Sequence, residues 1–106
     1  MTLIWAVTVV KNVGMYQLIK RRRLQLLIHS CIYYRLNDNI IDDHTFDRWS
    51  DELVKLQTDY PEVSEQVEWY EAFKDWDGST GAFLPISDPW VVGHAEYLLK
   101  ASKGWK

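Results

Sequence analysis

Cysteine is nearly absent from this chain. Cys31 stands alone, so no intramolecular disulfide can form and the fold requires no oxidising compartment. Histidine is sparse and scattered, at positions 29, 44 and 94. The neighbours His29 and Cys31 have no second His/Cys pair to complete the roughly four ligands of a zinc site, and no metal is expected. The apolar stretch at the start, Leu3 to Val10 (LIWAVTVV), spans eight residues, well short of the about 20 needed to cross a bilayer. Positive charge follows it instead of preceding it, and no small-residue cleavage site stands out, so it does not read as a secretory signal. These absences predict a cytoplasmic protein without a membrane partner. Acids are also missing from one region: residues 1–36 carry Lys11, Lys20, Arg21, Arg22, Arg23 and Arg35 and no acid. All 15 acids lie in residues 37–106 beside six bases, a local balance of −9 within a net charge of −3. A basic first helix packed beside acidic later ones accounts for this asymmetry; separate basic and acidic partner surfaces are the alternative.

What is present is a chain of one-domain size, 106 residues, 47% apolar and 25% charged, sufficient for a single core. The pattern predicts an all-α fold, a small bundle of three to four helices. Met15 opens a regular helical sequence. We therefore take residues 15–106 as a single helical domain and residues 1–14 as an N-terminal extension upstream of the natural start, or else a short strand or arm docked on the helices. The first helix is expected over about 16–36, with Ile19, Leu26, Leu27, Tyr33 and Tyr34 on a broad apolar face widened by Leu24, Ile28, Cys31 and Ile32. Lys20 to Arg23 crosses nearly a full turn and forms no single stripe, so a solvated surface is expected there. Asn37-Asp38-Asn39 signals a turn. A second helix follows over about 44–59, capped by Asp42 or Asp43. Its residues Phe46, Trp49, Leu53, Leu56 and Tyr60 recur at spacings of 3, 4, 3 and 4, a clear amphipathic stripe. Pro61 ends that helix and suits the first turn of a third, expected over about 62–76 with Val63, Val67, Tyr70 and Phe73 on one face and Glu65, Glu68, Glu71 and Asp75 opposite. Residues 77–87 read as a loop. Asp88-Pro89 then marks a strong helix start, and Gly104 a stop.

The junction of the first two helices gathers the residues most suggestive of binding. Tyr33 and Tyr34 close one helix; Asp43, Phe46 and Asp47 open the next. Asp43 and Asp47 are four apart and share a face, with Phe46 beside them. Aromatic rings can sandwich a flat heterocycle, and carboxylates can accept hydrogen bonds from ribose hydroxyls. From the spacing alone a plain packing role is the favoured reading: tyrosines and Phe46 in the core, Asp43 as a cap, Asp47 paired with Arg48 or Lys55 or facing water.

The stretch His29 to Val63, HSCIYYRLNDNIIDDHTFDRWSDELVKLQTDYPEV, resembles the first helical segment (domain Ia) of bacterial NAD-dependent DNA ligases, whose pattern is like H-x-x-x-Y-[HY]-x-x-D-x-P-x-I-x-D-x-E-Y-D-x-L. The likeness runs without a gap from Tyr33 to Asp47 and covers about 35 of 106 residues. Tyr33 and Tyr34 stand at the tyrosine and His/Tyr positions, Asp43 and Asp47 at the two aspartates, Ile41 at the isoleucine, and Tyr60-Pro61-Glu62 fits the closing motif. Phe46 stands in place of the second tyrosine, Asn37 of the turn aspartate, Asn39 of the proline and Thr45 of a glutamate. The stretch DWDGSTGAFLPISDPWVV is instead similar to small stand-alone ligase-related proteins of phages and their Gram-positive hosts. The resemblance implies a helical hairpin whose Tyr33, Tyr34, Asp43, Phe46 and Asp47 take the nicotinamide mononucleotide (NMN) half of NAD.

The resemblance does not extend to catalysis. Lys74 to Gly78 reads K-D-W-D-G, one residue longer than the ligase K-x-D-G motif, and the chain has no room for an adenylation domain. Asp77 to Gly81 lacks a phosphate-loop pattern. We therefore expect no enzyme. Two functions remain side by side. One is a non-catalytic module binding NMN or NAD through the hairpin. The other is a phage-type interaction or inhibitor protein, anti-host or anti-defence, that meets a protein partner through an acidic and aromatic surface of Trp69, Trp76, Glu65 and Glu68, with Trp90 and Trp105 as further anchors. Direct DNA binding through Lys20 to Arg23 is not expected, because the rest of the chain would repel phosphate.

Overall fold

The structure is a computed structural model that describes the backbone of residues 2–104 and the side chains of residues 13–104. Trp105 lies outside the described residues. Five helices follow one another: α1 (Thr2–Tyr34), α2 (Asp43–Asp59), α3 (Pro61–Gln66), α4 (Tyr70–Phe73) and α5 (Pro89–Ser102). No strand occurs among the described residues, so the fold is all-α.

Helix α1 is the axis of the molecule, packed against both α2 and α5. Its backbone is helical through residues 2–14, where a short strand was one expectation. The β-branched Val, Ile and Thr of this stretch lower helix propensity only slightly. Gly14 is the one Gly or Pro before residue 61, and it costs only about 1 kcal/mol relative to Ala, too little to halt an established helix. The helix ends where Asn37 adopts the left-handed conformation (φ 57°) and the Asp38 N–H donates back to the Ile32 carbonyl at 3.0 Å. Asn tolerates this geometry better than most residues.

One core runs along α1. Ile19, Leu26, Leu27, Cys31 and Ile32 are buried against Leu53 of α2, Val63 of α3, Phe73 of α4 and Val91 and Ala95 of α5. The α2 stripe is as expected through Leu56: Leu53 is fully buried, and Phe46, Trp49 and Leu56 pack partly buried against the core, whereas Tyr60, at the cap of the helix, is exposed at 39%. Asp42, not Asp43, caps α2, accepting the Thr45 N–H at 2.7 Å. Asp88 caps α5, accepting from the N–H of Trp90 at 2.8 Å.

Two expectations are corrected, and one residue accounts for both. Arg23 was placed on a solvated surface, but it is completely buried. Its guanidinium donates to Gln57 Oε1 (2.8 and 3.0 Å), Ser64 Oγ (2.6 Å) and the carbonyls of Ser64, Val67 and Glu68 (3.2, 2.9 and 3.1 Å). Gln57 in turn donates to the Phe73 carbonyl at 3.0 Å. A cation drawing in the carbonyls at a helix C-terminus is favourable, and here it ends the third helix early. The expected helix over 62–76 is instead two short ones, separated by an extended Val67 and a left-handed Trp69 (φ 71°). Burial pushes the Arg23 pKa down to about 10, so it remains a cation at neutral pH.

The rest of the basic run is largely neutralised within the fold. Arg22 pairs with Glu52 at 3.0 Å and Lys20 with Glu68 at 3.7 Å. Arg21 alone of the four is exposed. Two of the bases of the first helix are thus paired with acids later in the chain. No helix among the described residues is long and apolar enough to cross a membrane.

Candidate functional site

In the last turn of α1, Cys31 and Ile32 are buried in the core, whereas Tyr33 and Tyr34 are exposed, at 52% and 45%, where a packing role would have buried them. Their rings meet edge to face at 4.8 Å. The first turn of α2 faces them, fixed by the Asp42 cap. Asp43 and Asp47 are exposed and Phe46 is partly buried between α2 and the 77–88 loop. A cleft of about 280 Å³ opens between these elements, near the lower end of the about 300–1,000 Å³ usual for small-molecule sites. All five hairpin residues singled out in the sequence, Tyr33, Tyr34, Asp43, Phe46 and Asp47, line it.

A third wall comes from the loop after α4. Asp77 Oδ1 accepts from the Ser79 N–H (2.9 Å) and hydroxyl (2.7 Å), and these bonds hold its carboxyl below the usual range. Gly78 takes a positive φ of 83°, which aims Ser79 and Thr80 into the cleft. Thr80 is gripped from three sides. Its carbonyl accepts the Trp76 indole N–H at 2.7 Å, its hydroxyl accepts the Ala82 N–H at 3.1 Å, and the same hydroxyl bonds the Tyr34 hydroxyl at 2.9 Å. Gly81 takes no side chain without displacing Ser30, since a Cβ there would stand 1.9 Å from Ser30 Oγ and 2.7 Å from Ser30 Cβ. The loop therefore rests directly on α1, and its position defines the cleft.

The electrostatics of the cleft are one-sided. Asp42, Asp43 and Asp47 border it, and among the described residues no Lys or Arg does. Hydrogen bonds from Thr45 hold the Asp42 carboxyl below the usual range. His29, the remaining titratable side chain besides the tyrosines, lies 5.5 Å from the Trp49 ring, and burial lowers its pKa below the ordinary histidine value. The Asp43 and Asp47 carboxylates make no hydrogen bond or ion pair among the described residues. The cleft thus offers two exposed rings, a partly buried ring and open carboxylate acceptors. That set can hold a flat heterocycle and hydroxyls. Among the described residues no group of three or more His, Cys, Asp or Glu is placed to hold a metal.

His29, Asp42, Ser79 and Thr80 were not singled out from sequence. His29 had a signal, since it stands four before Tyr33 on the same helix face. Asp42 was read as a cap and is both cap and wall. Ser79 and Thr80 were read as an ordinary turn, and nothing local marks which part of the fold that turn meets.

The residues read as a partner surface are divided. Trp69 packs towards Trp90 at 6.1 Å, whereas Trp76 stands edge-on to Phe73 at 5.3 Å and is bonded to the cleft loop. Both are partly buried against the core. Glu65 is exposed, and Glu68 pairs with Lys20 and accepts from the Tyr16 hydroxyl at 3.4 Å. Trp90 is more accessible at 44% and stacks on His94 at 3.9 Å. Lys74 pairs with Glu71 at 3.0 Å on the surface. Compared with known proteins, the chain matches no family model, no curated protein and no solved structure.

Proposed function

We propose that this protein is a non-catalytic binding module for a nicotinamide nucleotide, NMN or the NMN half of NAD, held in the cleft between α1, α2 and the 77–88 loop. One observation carries the reading. The five residues that the ligase resemblance assigns to this ligand converge on an open cleft, with their rings exposed and two carboxylates unpaired. The tyrosine rings supply stacking faces. Asp43 and Asp47 supply acceptors for ribose hydroxyls. Phe46 keeps the apolar wall that a tyrosine would provide, without its hydroxyl.

The test is an NMR titration of the full chain with NMN and with NAD, and with ATP as control. Shifts confined to Tyr33, Tyr34, Asp43, Phe46, Asp47 and Thr80, absent with ATP, are expected. Silence of these resonances at millimolar NMN and NAD rejects the reading.

A second reading, a phage-type interaction or inhibitor protein, is favoured by the exposed aromatics outside the cleft: Phe83 at 91%, Tyr97 at 64% and Trp90 at 44%. Such rings are common anchors at protein interfaces. Under this reading Trp90→Ala removes capture of the partner and Tyr33→Ala does not.

A further inference from the structure

We propose that the cleft reads the positive charge of its ligand: it takes a flat, permanently cationic heteroaromatic bearing a sugar diol, the N-ribosylpyridinium of an oxidised nicotinamide nucleoside, and leaves any phosphate in solvent. This rests on the nucleotide-site reading above and adds to it which part of the molecule is recognised. Three observations point the same way. Asp42, Asp43 and Asp47 border the cleft, and among the described residues no Lys or Arg lines it. His29, the lining group able to become a cation, has its pKa lowered by burial. The ring faces of Tyr33 and Tyr34 are exposed to the same space, and aromatic faces attract cations through their quadrupole. His44 and Arg48 stand near enough to Asp42 to lower its pKa, yet neither lines the cleft.

A phosphate group needs the opposite environment, with guanidinium, ammonium or clustered backbone N–H donors. Of the N–H groups at the start of α2, that of Thr45 is already held by the Asp42 carboxylate at 2.7 Å, and Asp43 sets a further carboxylate beside them. A phosphate placed inside would face three carboxylates. Placed outside, it meets water. The charge that the cleft can stabilise is therefore that of the ring, and reduction to the dihydropyridine, which is neutral, removes it.

The experiment titrates the full chain, by NMR, with four probes: nicotinamide riboside, NMN, and the dihydro form of each. Nicotinamide riboside is expected to bind at least as tightly as NMN, and each dihydro form roughly tenfold more weakly than its oxidised parent. Asp43→Asn/Asp47→Asn should abolish that preference while leaving the spectrum of the folded chain in place. Equal binding of oxidised and reduced forms, or NMN binding tenfold tighter than the riboside, overturns charge reading while leaving the nucleotide site standing. No cleft shifts with any of the four probes removes both.

Discussion

Two polar clusters are carried by α1, and they differ in how completely they are satisfied. Around Arg23, six hydrogen bonds run to acceptors on Gln57, Ser64, Val67 and Glu68. That cluster is shut off from water and closed on itself. Ten residues on, roughly 15 Å along the helix at about 1.5 Å per residue, the Tyr33–Tyr34 cluster is open, with the Asp43 and Asp47 carboxylates unpaired. Both combine aromatic rings with polar groups of one charge: the Arg23 guanidinium lies 6.0 Å from the Tyr70 ring and 5.9 Å from that of Phe73. The difference teaches how to separate a structural cluster from a binding one. The first has no capacity left for a ligand. The second has acceptors and ring faces directed at a cavity.

The comparison predicts its largest effect at the closed cluster. Arg23→Met removes every donor at once and orphans several buried acceptors, each worth about 1–3 kcal/mol. Some will be rehydrated, so a loss of about 3–5 kcal/mol is expected from urea unfolding. A midpoint unchanged from the parent would show that the cluster does not hold α3 and α4 to α1. Next is Gly81→Ala, which forces a Cβ against Ser30 Oγ. Overpacking of this kind costs about 1–3 kcal/mol and should displace Thr80 from Tyr34. Thermal unfolding reads the first effect; the NMN titration, weakened in the variant, reads the second. An intact titration would mean that the loop wall is dispensable.

How far the sequence discloses this arrangement depends on the distance over which each cause acts. The α2 stripe from Phe46 to Leu56 and the Asp88-Pro89 start of α5 have causes within a few residues, and both are legible. The break between α3 and α4 is not, because its cause, Arg23, lies 41 residues before Ser64. Val63, Val67 and Phe73 nonetheless face the core as their spacing indicated, since burial tolerates a local kink. The hairpin side of the cleft is legible through the tyrosines and aspartates. Its loop wall is not, because the contact of Gly81 with Ser30 joins parts of the chain 51 residues apart. The exposure of Tyr33 and Tyr34 beside the buried Cys31 and Ile32 depends on which face of α1 its partners cover, which no pattern within α1 records.

Smaller effects sharpen the distinction inside the cleft itself. Asp42 is both wall and cap, so Asp42→Ala should lower the urea midpoint as loss of a helix cap does. His29 gives a pH dependence. Its folded-state pKa lies below the ordinary value of about 6.5 because burial disfavours the imidazolium. The unfolded chain therefore binds more protons in this range, and stability rises with pH there. The contribution is full above pH 6.5 or so and declines as the pH falls through that value towards the lower folded pKa. His29→Gln should flatten this part of the stability profile. A profile that keeps its slope in the variant would assign the dependence to another group.

The smallest stability effect is expected where the function is proposed. Asp43 and Asp47 are like charges four apart on one helix, an arrangement that costs about 0.2–0.5 kcal/mol. Asp43 recovers part of this by its position in the first turn of α2, where the helix dipole favours an anion. Asp47 has no such compensation and no ion partner. Asp47→Asn should therefore leave the urea midpoint unchanged or raise it slightly, within about 0.5 kcal/mol, while weakening the NMN titration. A residue that contributes nothing to folding and yet faces a cavity has its use outside the fold. If Asp47→Asn instead lowered stability by more than about 1 kcal/mol, the carboxylate would be structural, and the open cluster would be of the same kind as the closed one.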